Sequence, residues 1–403
     1  MIKYICSVVS VLFSVLRSKF SWLTIFFIIW LYRVEFMPDT GGGMAKAIQI
    51  VSLLAIVALL FKYSGNILAK AMNQTNNSVK TLLLLYFLGV LSTAWAFMPQ
   101  LAFFLSFQNI VMILAMVWML TLFKDFKSRE KTFVYFVLLT IVFENLAIRL
   151  TAQKVMIAHF LPAASSAAML LAYSIGEYLA MSYHDKERKA FLKYTIMMSI
   201  FLLIINTSGG ANASALFAVG VAFWLSKRYL LALVITVGAV YVLVNPNLLT
   251  DLVLTLMPDK NMEQIETGNG RQEIWELLLN AAKEKPILGW GFACVERTVG
   301  EIFGTQILSD AHNNYIGMYG SLGMVGLGLF ILHYIFQILF SLIRKKKVGF
   351  VGIICATACA MVNGYSYGFM SGKTCSITVV YFAVVVLSFA YSKVKAYDQS
   401  AVK

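Results

Sequence analysis

Residues 312–342 read HNNYIGMYGSLGMVGLGLFILHYIFQILFSL, a stretch with no Asp, Glu, Lys or Arg, closed on its far side by Arg344, Lys345, Lys346 and Lys347. A bilayer's hydrocarbon core is about 30 Å thick and takes roughly 20 apolar residues as a helix. The stretch therefore predicts a membrane-crossing helix with polar residues at its mouth. Applied to the rest of the chain, the same criterion predicts twelve spans, at 20–36, 44–62, 81–97, 100–123, 131–149, 157–182, 191–206, 211–226, 228–246, 312–342, 347–369 and 373–391. The fold class that follows is all-α: a polytopic transmembrane bundle of about twelve spans.

Composition agrees. The 403 residues are 60% hydrophobic and only 13% charged, with a mean hydropathy of +0.78, whereas soluble domains are about half apolar and a quarter charged. This excludes a disordered chain, a disulfide scaffold and an ordinary cytosolic enzyme. The five cysteines add no framework: Cys6, Cys355, Cys359 and Cys375 lie in apolar stretches, and Cys294 is alone in a polar loop, so all read as structural. Near the start, Lys3, an apolar run to Leu16, then Arg17 and Lys19 imitate a short signal peptide. With no small-residue cleavage site following, an uncleaved amphipathic or re-entrant helix is expected.

The net charge of +14 has two possible partners, nucleic acid or the membrane. With the first span entering from inside and the sides alternating, twenty-three Lys and Arg fall on the inner side and ten on the outer. That bias satisfies the positive-inside rule and puts both termini in the cytoplasm, where anionic membrane lipids account for the charge without nucleic acid.

One connection breaks the pattern. It divides the chain into N-terminal helices (1–245), a large extracytoplasmic loop (246–311) and C-terminal helices (312–403). The loop holds three of the six prolines, and from Pro258 to Asp310 nine acidic residues face five basic ones. Loops of this length in a compact bundle are usually functional. Within it, 271–285 predicts an amphipathic helix. Ile274, Trp275, Leu278, Leu279 and Ala282 share a face, Glu273 and Glu276 suit its start, Lys283 and Lys285 its end, and Pro286 stops it. The expected place for that apolar face is the membrane surface.

Two residues could carry chemistry. His312, at the mouth of a span and open to the outer aqueous layer, suits proton transfer near neutral pH; the alternative is an interfacial residue beside a cap made by Asp310 or Asn313. Arg271, after Gly268-Asn269-Gly270 at a helix start, suits a diphosphate, because guanidinium and helix N–H groups donate to the same anion; the alternative is a surface arginine or one paired with a glutamate.

The ordered set GNGRQEIW (268–275), KPILGWGF (285–292) and DAHNNYIGMYGSLGMVGLGLF (310–330) closely resembles the signature region of the O-antigen ligase and polymerase superfamily. That pattern reads GR, a tryptophan, P with G-x-G, then HN-x-Y with glycines entering a helix. The resemblance implies a GT-C-like fold and transfer of a glycan from an undecaprenyl diphosphate carrier to an acceptor glycan or lipid, on the outer face of the bacterial inner membrane, with no metal or other cofactor. It gives His312 the part of catalytic base and Arg271 that of diphosphate ligand, with Asn313 and Tyr315 of the HN-x-Y element in substrate binding. A chain-length regulator is among the partners such an enzyme admits. One departure matters: where the family often carries an arginine in a Ser-Arg-Gly-Ala-like motif, this chain has Gly209, within Asn206–Ala211. The nearest outer cations by topology, Arg149 and Lys154, are the expected substitutes.

Other polar residues within spans divide by depth. Glu144, Arg149 and His159 cluster toward outer span ends, as part of a cavity or as a helix-tying pair. Glu177 and His333 lie in the inner half and read as structural. Gly317, Gly320, Gly323 and Gly326 form an i, i+3 series suited to close packing or to passage of a lipid tail. The functional expectation is a polymerase joining carrier-linked repeat units of O-antigen, capsule or exopolysaccharide. A ligase moving finished glycan to lipid A core or protein is the near alternative. A transporter or flippase is the rival class, predicting deep charges and helices broken at the midplane.

Overall fold

The computed structural model describes residues 43–64, 77–121, 126–151, 161–181, 185–206, 208–244, 271–302, 311–372 and 374–391, and among these every regular element is helical. In chain order the helices are α1 (Gly43–Ser64), α2 (Asn77–Leu91, running into a 3-10 turn at Ser92–Ala94), α3 (Pro99–Thr121), α4 (Phe126–Thr151), α5 (Leu161–Ala180), α6 (Lys186–Ile205), α7 (Gly209–Leu225), α8 (Tyr229–Val244), α9 (Arg271–Glu284), α10 (Val295–Ile302), α11 (Asn314–Ile343), α12 (Phe350–Ser366) and α13 (Ser376–Tyr391). Eleven of the twelve sequence-predicted spans coincide with helices, and the first, 20–36, lies outside the described residues. Among the described residues three stretches, Asn77–Ala94, Pro99–Met119 and Asn314–Ile343, are long and apolar enough to cross a membrane; Ala47–Lys62, Gly209–Leu225, Phe350–Ser366 and Ser376–Ser388 are shorter apolar helices.

The core follows from which helices are apolar on every side. α13, SITVVYFAVVVLSFAY, has no polar face to offer water, and it occupies the centre, packed against α2, α3, α4, α5, α11 and α12. α5 is built from small residues, with Ala163–Ser174 continuously buried, which lets backbones approach closely. At its crossing with α12, a Cβ on Gly176 would lie 2.9 Å from Cys355 Sγ, and one on Gly352 would lie 2.6 Å from the Tyr173 carbonyl.

Polar contacts sort the helix ends into two groups, as alternating spans require. One end gathers the starts of α4, α6 and α12 with the end of α5. There the Arg188 guanidinium reaches Glu130 at 2.6 Å and Glu177 at 2.7 Å, while Tyr173 donates to Glu130 at 3.0 Å. The Glu177 carboxylate also accepts from the backbone N–H groups of Gly349 and Gly352, each at 2.8 Å, so it caps the first turn of α12 from another helix. His333, deeper in the bundle, joins Ser78 of α2 to Tyr381 of α13.

The opposite end holds the α2–α3 turn, the loop segment 286–294, the starts of α7 and α11, and the α12–α13 connection. It is held by Phe97 N–H to the Trp290 carbonyl, Phe292 N–H to Ser92 Oγ and Met370 N–H to Asn314 Oδ1. Two expectations are corrected at this end. The apolar face of α9 is covered by protein rather than laid on the membrane: Leu278 and Ala281 are buried with Trp290, Val295, Val299 and Ala311, and Leu279 is exposed instead. Cys294, read as a residue of a polar loop, is buried with its Sγ near the Met98 and Phe292 carbonyls, and burial pushes its thiol up to about 11.

Candidate functional site

The site begins with a broken helix. Gly323 lies in the left-handed half of backbone space (φ 65°, ψ −162°) inside α11, a conformation open to glycine at no steric cost. The break removes two helical hydrogen bonds, Met324 to Gly320 and Val325 to Ser321, and strands two N–H groups and two carbonyls. Loop segment 286–291 takes up all four. Pro286 and Ile287 carbonyls accept from Met324 and Val325 at 2.8 and 3.3 Å, while Trp290 and Gly291 N–H groups donate to Gly320 and Ser321 at 3.0 and 2.9 Å. In an apolar medium an unsatisfied peptide group costs several kcal/mol, so the exchange is what permits the break.

The G-x-G of the loop follows from the same geometry. Gly289 and Gly291 have positive φ, and a Cβ would lie 2.4 Å from the Ser321 carbonyl oxygen at the first and 2.3 Å from Ala96 Cβ at the second. Around the junction, Trp95 Nε1 donates to the Leu288 carbonyl, Trp290 Nε1 to that of Ala281, and the Lys285 ammonium sits 3.9 Å over the Trp290 ring. The loop is thus fixed on both α11 and the α2–α3 turn.

This junction sets α9 beside the mouth of α11. Trp275 Nε1 donates to the Ala311 carbonyl at 3.0 Å, and Arg271, the first residue of α9, lies one turn earlier on the same face. His312 follows Ala311 directly and is partly buried. Its φ of 50° is uncommon outside glycine, and such outliers concentrate at functional sites. Asn313 is the N-cap of α11, its Oδ1 accepting from the N–H groups of Tyr315 and Ile316 at 2.9 and 3.1 Å. Tyr315 donates its hydroxyl to the Met361 carbonyl at 2.9 Å. The structure therefore places His312, Asn313 and Tyr315 at the mouth of α11, the last two engaged in holding it, with Trp275 beside them and Arg271 one turn earlier on α9. Arg149 lies in the last turn of α4, and Lys154, His159 and Asp310 lie outside the described residues.

Sequence reasoning missed the fourth wall. The end of α12 closes the corner: Tyr365 meets the Trp275 ring edge to face, with centroids 5.3 Å apart. Next to it, Ser366 stands where a Cβ on Gly210, in the first turn of α7, would fall. The starts of α7, α9 and α11 so converge on the end of α12, and each brings the positive end of a helix dipole, with the Tyr315 and Ile316 N–H groups of α11 already taken by Asn313. Gly209, at the position of the family's arginine, is in this group. The available signal was GYSYG at 364–368, aromatic residues between glycines at a span end.

These features define a class: a helical bundle with apolar, membrane-length helices and a polar corner at the mouth of a broken one. The family model described as O-Antigen ligase matches residues 194–331, from within α6 to beyond the break in α11, and encloses Arg271, the G-x-G and His312. This match supports the resemblance to the O-antigen ligase and polymerase superfamily over that segment, and members of that family are in general glycosyl-transferring enzymes. No curated protein matches the chain.

Proposed function

We propose that the chain is a glycosyltransferase of the bacterial inner membrane, of GT-C-like architecture with about twelve spans, that polymerises undecaprenyl-diphosphate-linked repeat units on the outer face. The observation that carries the reading is the Trp275–Ala311 hydrogen bond, because it joins the Arg271 helix to the residue beside His312.

The chemistry needs two things, a base for the acceptor and a counter-charge for the leaving group. His312 takes the proton of the attacking hydroxyl as its oxygen bonds to the anomeric carbon of the donor. The bond from that carbon to the phosphate oxygen breaks, and its electron pair leaves with the undecaprenyl diphosphate. Arg271 holds that charge, aided by the helix starts of α7, α9 and α11 and by a second cation, Arg149 or Lys154. Asn313 and Tyr315 serve the substrate by fixing the mouth at which it binds. A positioned base contributes typically 10²–10⁴-fold, and preorganised donors at the leaving group contribute on a similar scale.

The broken α11 is the feature a transporter would share, yet here all four freed backbone groups are engaged by the loop, which leaves none to coordinate a cargo. His312→Ala is the decisive variant: glycan transfer should fall by at least about 100-fold while insertion and yield stay at wild type, and near-normal transfer by it would refute the assignment. Deleting the chain and running the glycans on a gel separates polymerase from ligase. Single repeats mark the first, and long carrier-bound chains the second.

A further inference from the structure

Tyr365 is 60% exposed at the end of α12, with its ring in edge contact with a second one. The two planes meet at 68°, making a corner rather than a stack, and Trp275 is locked into it because its only donor is spent on Ala311. The corner is therefore rigid and one residue from His312. Arg271 is one turn away on α9, about 6 Å along the axis, which is roughly the width of a pyranose ring. On α9, Gln272, one turn before Trp275, and Glu276, the next residue, are exposed, so hydrogen-bonding groups flank the indole on its own helix.

A pyranose has the matching division of character. Its axial C–H groups form an apolar face, its hydroxyls a polar rim, and an aromatic ring offers that face a partner at low entropic cost. We infer that Trp275 and Tyr365 form the stacking subsite for the sugar ring whose anomeric carbon carries the diphosphate. The inference rests on the glycan-transfer reading above and names the part of the donor that this corner holds. With the diphosphate at Arg271, a ring seated here has its anomeric carbon, which carries that diphosphate, directed along α9 toward Arg271.

The test compares Tyr365→Leu with Tyr365→Phe in nanodiscs, using as donor the lipid-linked oligosaccharide extracted from cells lacking this chain. Leucine keeps an apolar side chain for the bilayer and removes the ring. The expected result is a rise in donor KM of about tenfold, about 1.4 kcal/mol, with kcat little changed, and a KM restored toward wild type by Tyr365→Phe. A wild-type KM for Tyr365→Leu overturns the subsite, and a lower membrane yield with unchanged KM marks Tyr365 as an interfacial anchor instead. Absence of transfer by the wild-type protein would count against the glycan-transfer reading itself. Saturation-transfer NMR between aromatic and sugar protons then decides the subsite without turnover: no signal in wild type, or an undiminished one in Tyr365→Leu, overturns it.

Discussion

Arg188 carries one positive charge into a buried space that holds two carboxylates. Its Nε and one Nη make paired bonds to Glu130 at 2.6 Å, the same Nη reaches Glu177 at 2.7 Å, and its carbon lies 4.8 Å from the Phe126 ring centroid. The surplus negative charge is met by Gly349 and Gly352 N–H groups. Breaking such a cluster by removing one member strands the others, at about 3–5 kcal/mol. Arg188→Ala is therefore expected to lower the thermal unfolding temperature in detergent sharply. The triple change Arg188→Met, Glu130→Gln, Glu177→Gln should recover part of that loss, because no unpaired charge remains, while one of the Gly349 and Gly352 N–H groups loses its acceptor. A single variant as stable as wild type would mean the cluster holds nothing together. In the sequence Arg188 reads as one more inner-side cation, since its partners are 58 and 11 residues away and neither spacing marks a pair.

At the scale of elements, the α11 break and loop segment 286–291 are one structure made from two distant stretches. Strain and sterics both fix Gly323 as glycine. At φ 65°, ψ −162° the backbone is in an essentially glycine-only region that costs another residue about 1–3 kcal/mol, and a Cβ there would lie 2.2 Å from the Ile287 backbone. Gly323→Ala should unfold well below wild type and lose glycan transfer. Gly328→Ala, five residues on, where a Cβ meets nothing within 4 Å, should be neutral or stabilising by up to about 1 kcal/mol. Equal melting of the two variants, followed by tryptophan fluorescence, would remove the junction from the account. The positions of helices were legible because apolar runs and their polar boundaries are local. The break was not, because Gly317, Gly320, Gly323 and Gly326 form one uniform series and only contact with 286–291 distinguishes the third. His312 and Arg271 are candidates that the resemblance names, whereas Tyr365 is brought to Trp275 by the fold.

For the whole molecule, the two groups of helix ends fix relative sidedness, and charge then supplies the absolute sense. The Arg188 end includes Lys127–Asp185 and Lys131–Glu187 contacts, each at 3.2 Å; the proposed topology assigns this end to the side with twenty-three Lys and Arg and the His312 end to the side with ten. The positive-inside bias, counted over short connections, sets orientation. It predicts that alkaline phosphatase, active only after export, is inactive when fused behind Lys395 and active when inserted near Lys260 in the acidic loop. A fluorescent protein that folds only in the cytoplasm should give the opposite pattern. Inverted results at both positions would put His312 on the cytoplasmic side, away from an outward-facing carrier, and the transfer reaction would have to be abandoned with the topology. The loop's excess of acidic residues sharpens the expectation, because Asp and Glu contribute little to orientation. The outcome then rests on the inner lysines and arginines alone, and replacing Arg344, Lys345, Lys346 and Lys347 together by glutamine should weaken the bias at the connection that follows the His312 helix.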